Sequence, residues 1–138
     1  LPVEKSINFQ LAREGLAYPT FYKTTDRVFA EKIRAVVARA KSTRRGIWSI
    51  DRTSDFTIWD VSTLQDDILL MPKIFRRLVG FFDRYPDFSK LQEYMEKQKD
   101  NLELWNGTKH RSLAELMKFS GRRIQMKTPV EDILFNPK

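Results

Sequence analysis

The stretch INFQLAREGLAYPTFYKT, residues 7–24, joins a helical pattern directly to an aromatic segment. Ile7, Leu11 and Ala12 lie at helical spacing, and the pattern ends at Gly15, a residue type that adopts the left-handed conformation found at helix C-termini. Apolar and aromatic residues resume immediately with Leu16. A helix that ends so abruptly before an aromatic strand or turn indicates a piece that packs within a larger architecture.

Composition is typical of a folded, basic protein. Of the 138 residues, 41% are hydrophobic and 12% aromatic, as expected for a chain with a packed core. The formal net charge of +7 favours acidic partners, such as nucleic acid or an anionic surface. The absence of cysteine excludes disulfides and thiolate metal sites, and the single histidine, His110, disfavours a catalytic triad. No apolar run approaches the roughly 20 residues that a membrane-spanning helix needs.

Helix caps and periodicity predict an α+β chain that is mainly helical. Three longer helices are expected, at residues 4–14, 25–45 and 72–84. Three capping-box patterns predict shorter helices, and these patterns begin at Ser62, Ser89 and Ser112. Three short strands are predicted, at residues 56–61, 102–105 and 122–127. The polar residues 49–55 predict a boundary, after which residues 51–138 form a small mixed, mostly helical module.

The quoted stretch also carries a family resemblance. Its landmarks are Ile7-Asn8, then LAREGLAY at residues 11–18, an aromatic pair, and a long Ala/Arg-rich helix closed by RRGIW at residues 44–48. This order resembles the C-terminal part of staphylococcal-nuclease-like (thermonuclease) domains, over residues 6–48. The resemblance implies that residues 1–48 are the helical C-terminal part of such a domain, in which helices cover a five-stranded OB-type barrel.

The same resemblance implies structural roles for Asn8, Arg13, Gly15, Gly46 and Trp48. Asn8 would bond to the backbone, and Arg13 would pair across to the long helix. At the position where the family usually carries the acidic partner, this chain has Val37. The two glycines would end their helices, and Trp48 would fill the core.

The family's chemistry is a calcium-assisted phosphodiesterase reaction whose residues all belong to the barrel half. Only residues 1–6 precede the resemblance here, so no catalytic and no metal-binding residue is assigned to this chain. We expect the barrel in a longer parent protein, packed on the apolar stripe Phe29, Ile33 and Val37. Two other arrangements stay open: another chain supplies the partner, or residues 51–138 replace the barrel.

Two groups of basic residues are candidate phosphate contacts. The first lies on the helix at residues 25–45 and its end, and the second flanks His110: Arg34, Lys41, Arg44 and Arg45, then Lys109 and Arg111. Both groups fit either a nucleic-acid interface or a solvated polar face. A similar basic pattern follows Pro72, at Lys73, Arg76, Arg77 and Arg84, where the neighbouring phenylalanines are interpreted as core.

The sequence therefore predicts part of a nuclease-like protein whose parent hydrolyses phosphodiester bonds in nucleic acid with calcium. Residues 1–138 alone would be inactive, since the barrel residues are needed for the reaction. The alternative is a non-catalytic module that binds nucleic acid or protein on a nuclease-like scaffold.

Overall fold

The computed structural model describes residues 2–137 and has an α+β architecture in which helical residues outnumber strand residues. Its α-helices are α1 (Ile7–Arg13), α2 (Arg27–Ser42), α3 (Pro72–Phe82) and α4 (Leu91–Lys97). Short 3-10 turns lie at Val3–Lys5, Gly46–Ser49, Phe88–Lys90, Leu113–Leu116 and Val130–Asp132, and a π-type turn lies at Thr63–Asp67.

The first two long helices begin later than the sequence predicts, because side-chain caps fix their starts. The Ser6 hydroxyl accepts a hydrogen bond from the Phe9 amide at 3.1 Å. The Asp26 carboxylate accepts one from the Phe29 amide at 2.8 Å. Each capping side chain satisfies an amide that has no partner within the helix. Helices α1 and α2 therefore start one residue after their caps, Ser6 and Asp26. Pro72 occupies the first turn of α3, as the sequence predicts.

Seven short strands within residues 2–137 form two small sheets. They are β1 (Phe21–Tyr22), β2 (Asp55–Thr57), β3 (Leu102–Leu104), β4 (Lys109–His110), β5 (Met117–Ser120), β6 (Arg123–Met126) and β7 (Ile133–Phe135). The first sheet has the order β1-β7-β3-β4, with β1 parallel to β7 and the other pairs antiparallel. The second sheet is antiparallel, in the order β2-β6-β5.

Of the three predicted capping boxes, one forms. Ser112 and Glu115 make both reciprocal bonds at the start of the turn Leu113–Leu116. The capping boxes at Ser62 and Ser89 do not form, because aspartates two residues earlier hold those turns, although the helix predicted after Ser89 is present as α4. The Asp60 carboxylate accepts from the Thr63 amide at 3.2 Å, and the Asp87 carboxylate accepts from the Ser89 amide at 3.0 Å. A carboxylate so close to the amides takes the bond that the serine hydroxyl would otherwise take.

The residues before and after position 50 contribute to one hydrophobic core. Phe9, Val37 and Trp48 belong to the same buried cluster as Phe81 and Ile133. The two segments are also joined by backbone, since Phe21 and Tyr22 are in register with Leu134 and Phe135. Within residues 2–137, no helix is long and apolar enough to cross a membrane.

Candidate apolar and cationic interfaces

The ends of α1 and α2 meet at two glycines. Gly15 has φ +68° and Gly46 has φ +57°, conformations that side chains with a Cβ disfavour. A Cβ on Gly15 would lie 2.2 Å from the Arg45 carbonyl oxygen, and a Cβ on Gly46 would lie 2.2 Å from the Gly15 carbonyl oxygen. The Ile47 amide donates to that Gly15 oxygen at 2.8 Å. The two glycine landmarks of the sequence therefore form one close backbone contact.

Helix α2 ends before Gly46, at a position that the sequence does not reveal. Arg44 is the left-handed residue there, with φ +54°. The Arg45 amide donates to the Ala40 carbonyl at 2.9 Å and the Arg44 amide to the Lys41 carbonyl at 3.0 Å, which is a Schellman motif. Gly46 serves the contact with Gly15 instead.

A row of exposed apolar side chains crosses α1. The helix buries Phe9 and Ala12, whereas Ile7 is 75% exposed and Leu11 is 37% exposed on another face. Leu16, which is 61% exposed, extends this row, because its amide donates to the Leu11 carbonyl at 2.8 Å in a second Schellman motif. We call Ile7, Leu11 and Leu16 the apolar row.

An apolar groove lies beside the apolar row. It has a volume of about 300 Å³ and runs between α1, the connector at residues 17–21 and α2. Leu11, Tyr18, Phe29 and Ile33 are among its lining residues. The expected partner stripe is only partly open, since Val37 is fully buried and Ile33 is 5% exposed within the chain itself. The open apolar surface is therefore displaced from the predicted stripe toward α1.

The residues with predicted structural roles have the following environments. Asn8 is exposed at the rim of the apolar groove, and its side chain has no hydrogen-bond partner within residues 2–137. Arg13 pairs with its neighbour Glu14 at 3.2 Å rather than with α2. An ion pair between the two segments is formed instead by Arg45, which follows α2, and Glu14, which follows α1, at 3.6 Å. Trp48 is buried, and its ring forms a T-shaped contact with Tyr18, with centroids 5.2 Å apart.

Most of the predicted phosphate contacts on α2 have carboxylate partners within the chain. The Arg34 Nε donates to Asp132 at 2.6 Å, and its guanidinium lies 4.8 Å from the Trp105 ring centroid. The Lys41 Nζ lies 2.9 Å from the Glu131 carboxylate, whose side chain is only 8% exposed. These pairs hold α2 against the turn Val130–Asp132, so the two cations are partly neutralised.

The other predicted contacts remain at the surface. Arg44, Lys109 and Arg111 are exposed and form no ion pair within residues 2–137. His110 is partly buried on β4, and its Nδ1 lies 3.7 Å from Glu115. Of the six predicted residues, Arg34, Lys41 and Arg45 therefore have a carboxylate partner, whereas the other three do not within the described part of the chain.

A cationic groove that the sequence analysis did not assign as a site lies along α3. Two adjoining clefts of about 360 and 320 Å³ share Tyr94 as a wall. Their lining includes six cationic side chains and two carboxylates: Lys73, Arg76, Arg77, Arg84, Lys90 and Lys97, with Asp100 and Glu93. The signal in the sequence was the basic pattern after Pro72. It could not be distinguished from a solvated helix face without the neighbouring α4.

A polar network joins the connector to the segment after residue 50. The Asp51 carboxylate accepts from the Tyr18 hydroxyl at 2.5 Å and from the Thr53 hydroxyl at 2.6 Å. Burial, followed by the hydrogen bond to Asp51, raises the pKa of Tyr18 far above its ordinary value. Thr53 in turn accepts from the Met71 amide at 2.9 Å. This network is structural, and within residues 2–137 no cluster of acidic and histidine side chains could hold a metal ion.

Comparisons of the chain with protein-family models, curated proteins and solved structures found no significant match.

Proposed function

We propose that this chain is the helical C-terminal part of a staphylococcal-nuclease-like protein, whose parent cleaves phosphodiester bonds in nucleic acid with calcium. The observation that carries the proposal is the apolar row beside the apolar groove. A seven-residue helix that buries Phe9 and Ala12 and also exposes Ile7 and Leu11 has two apolar faces. Contiguous exposed apolar surface of this kind marks a partner site.

The barrel half is the occupant that fits this surface. The resemblance covers residues 6–48, and in it the helices cover a barrel. The open surface lies on α1 and its C-terminal turn, within that segment. The barrel would supply the catalytic carboxylates and the calcium ligands, whereas this chain would supply the helical cover. Residues 1–138 alone are then expected not to cleave nucleic acid.

The test is an intact-mass measurement on the protein purified from its natural source, followed by a plasmid-nicking assay on the same sample with calcium or with a chelator. We expect a mass well above 16.4 kDa and cleavage that the chelator abolishes. A mass equal to that of this chain, with no cleavage, would contradict the proposal.

A matched pair of variants of that longer protein tests the surface itself. Leu16 and Ile50 are almost equally exposed, at 61% and 60%, but only Leu16 belongs to the apolar row. We expect Leu16→Asp to lower calcium-dependent cleavage strongly and Ile50→Asp to leave it unchanged. Equal activity in the two variants would show that the barrel does not pack here.

A non-catalytic binding module is the second candidate, and the shared core favours it. The segment after residue 50 supplies β7 to pair with β1 and the turn Val130–Asp132 to brace α2. A scaffold of this kind holds its fold without a barrel and would present its surfaces to nucleic acid or protein. The nicking assay separates the two candidates, since the module would not cut nucleic acid, whatever the mass of the protein that carries it.

A further inference from the structure

We propose that the cationic groove along α3 binds single-stranded nucleic acid, with cations on the phosphates and tyrosines against the bases. This site lies in the segment after residue 50 and does not depend on the nuclease-like proposal. The charge of the cationic groove, its length and the placement of three tyrosines support this assignment.

Cationic side chains outnumber carboxylates in the lining of the cationic groove. Its lining carries an excess of four positive charges, more than half of the net charge of the whole chain. Arg77 pairs with Asp100, and Lys97 pairs with Glu93. Arg76 and Arg84 are exposed and form no ion pair within residues 2–137. Cations placed together without carboxylate partners favour a polyanionic ligand.

The length and shape of the cationic groove suit a few nucleotides of an extended strand. From Lys73 to its end at Phe82, α3 rises by about 14 Å, since each residue adds about 1.5 Å, and Arg84 lies just beyond that end. The tyrosine Tyr94 forms the middle of the wall, with its hydroxyl packed against α3 at Gly80, where a Cβ would lie 3.1 Å away. A side chain at position 80 would therefore press against the Tyr94 hydroxyl.

One exposed tyrosine lies at each end of the cationic groove. Tyr22 is 38% exposed at the Lys73 end, where the ammonium group lies 5.3 Å from the Tyr22 ring centroid. Tyr85 is 39% exposed at the Arg84 end, and its ring is stacked on Phe81 with centroids 5.3 Å apart. Exposed aromatic rings next to cations are the features that stack on the bases of single-stranded nucleic acids. A duplex keeps its bases stacked inside and cannot use them.

The test is fluorescence anisotropy with a labelled twelve-nucleotide oligothymidylate, measured over a range of salt concentrations. The variant R76Q/R84Q removes two groove cations, and R39Q/K118Q removes two exposed cations elsewhere with the same change in net charge. We expect R76Q/R84Q alone to lower the salt slope of log K by about 1.4, since each contact to a single strand contributes about 0.7. Equal losses in the two variants would indicate long-range attraction only and would overturn the proposal.

A tyrosine variant and a competition experiment distinguish single-stranded nucleic acid from other polyanionic ligands. We expect Tyr85→Leu, with unchanged circular dichroism and melting temperature, to bind the oligothymidylate at least about fivefold more weakly. Unlabelled oligothymidylate should displace the probe, whereas a twelve-base-pair duplex or polyglutamate of matched charge should displace it poorly. Displacement by polyglutamate at equal charge concentration would instead assign the groove to acidic protein partners, and tight duplex binding would exclude the single-strand specificity.

Discussion

At the residue scale, the contact between Gly15 and Gly46 makes the sharpest prediction. Gly15→Ala combines a left-handed backbone, which costs about 1–2 kcal/mol for a residue with a Cβ, with a collision against the Arg45 carbonyl. Overpacking adds about 1–3 kcal/mol, so we expect a loss of roughly 2–5 kcal/mol in the free energy of unfolding. Denaturant unfolding measures this loss.

Gly121→Ala is the matched control for that substitution. Gly121 has φ +60°, but a Cβ there would meet no atom within 4 Å. It should cost only the backbone contribution of about 1–2 kcal/mol. Equal losses for the two alanine variants would mean that the two helix ends are not in close contact.

A second prediction at this scale concerns alkaline pH and Tyr18. Its pKa in the folded protein is raised above the ordinary value of 10.0, so the unfolded chain loses this proton first as the pH rises. The stability that Tyr18 contributes is fully present below about pH 10 and is lost as the pH rises from there toward its folded pKa. Tyr18→Phe should therefore have a flatter stability profile above pH 10, and its difference spectrum should lack the last tyrosinate to form. Identical profiles would contradict the buried bond to Asp51.

At the element scale, α2 is braced by ion pairs rather than left free for a ligand. Lys41→Met would leave the nearly buried Glu131 carboxylate without its cation, and we expect a loss of about 3–5 kcal/mol in the free energy of unfolding. The double variant Lys41→Met/Glu131→Leu should recover most of that loss, since both charges are then gone. Thermal or denaturant unfolding measures both.

Lys32→Met is the control on the same helix. Lys32 pairs with Glu4 at 2.7 Å, but both side chains are about half exposed. A surface pair of this kind contributes at most about 1 kcal/mol, so this variant should be nearly as stable as the unmodified chain. A large loss for Lys32→Met, or none for Lys41→Met, would contradict the role of the turn Val130–Asp132 as a brace.

The elements also show how far the sequence alone could lead. Helices α1, α2 and α3 and the capping box at Ser112 depend on neighbours within a few residues, and they were predicted. Strand β7 was not predicted, and β1 was expected only as a strand or turn, because both are two or three residues long and pair across more than 100 positions. Short strands carry too little periodicity to be recognised.

In the candidate sites too, some features are visible in the sequence and others depend on long-range packing. The charge of Arg34 and Lys41 is visible in the sequence, but their partners Asp132 and Glu131 lie 98 and 90 positions away. Periodicity marks a basic helix face, and only the packed structure decides whether that face is paired or open. The cations of α3 form a groove because α4 lies beside them, which no local pattern indicates.

For the molecule as a whole, the division into residues 1–48 and 51–138 can be tested by whether the two segments unfold cooperatively. The two segments share one core and one sheet, so neither can unfold without exposing apolar surface of the other. We expect a single unfolding transition in denaturant, with tryptophan fluorescence and circular dichroism giving the same midpoint, as in other domains of this size.

A truncated chain of residues 51–138 tests whether this segment folds without residues 1–48. Without β1 and α2, strand β7 loses its parallel neighbour, and Glu131 and Asp132 lose their cations. We expect this fragment to lack a cooperative transition, since its core would be incomplete. Two separate transitions in the full chain, or a cooperatively folded fragment, would show that residues 51–138 are an independent module. That outcome would leave the helices of residues 1–48 to depend on another partner, and it would strengthen the case for a barrel on the apolar row.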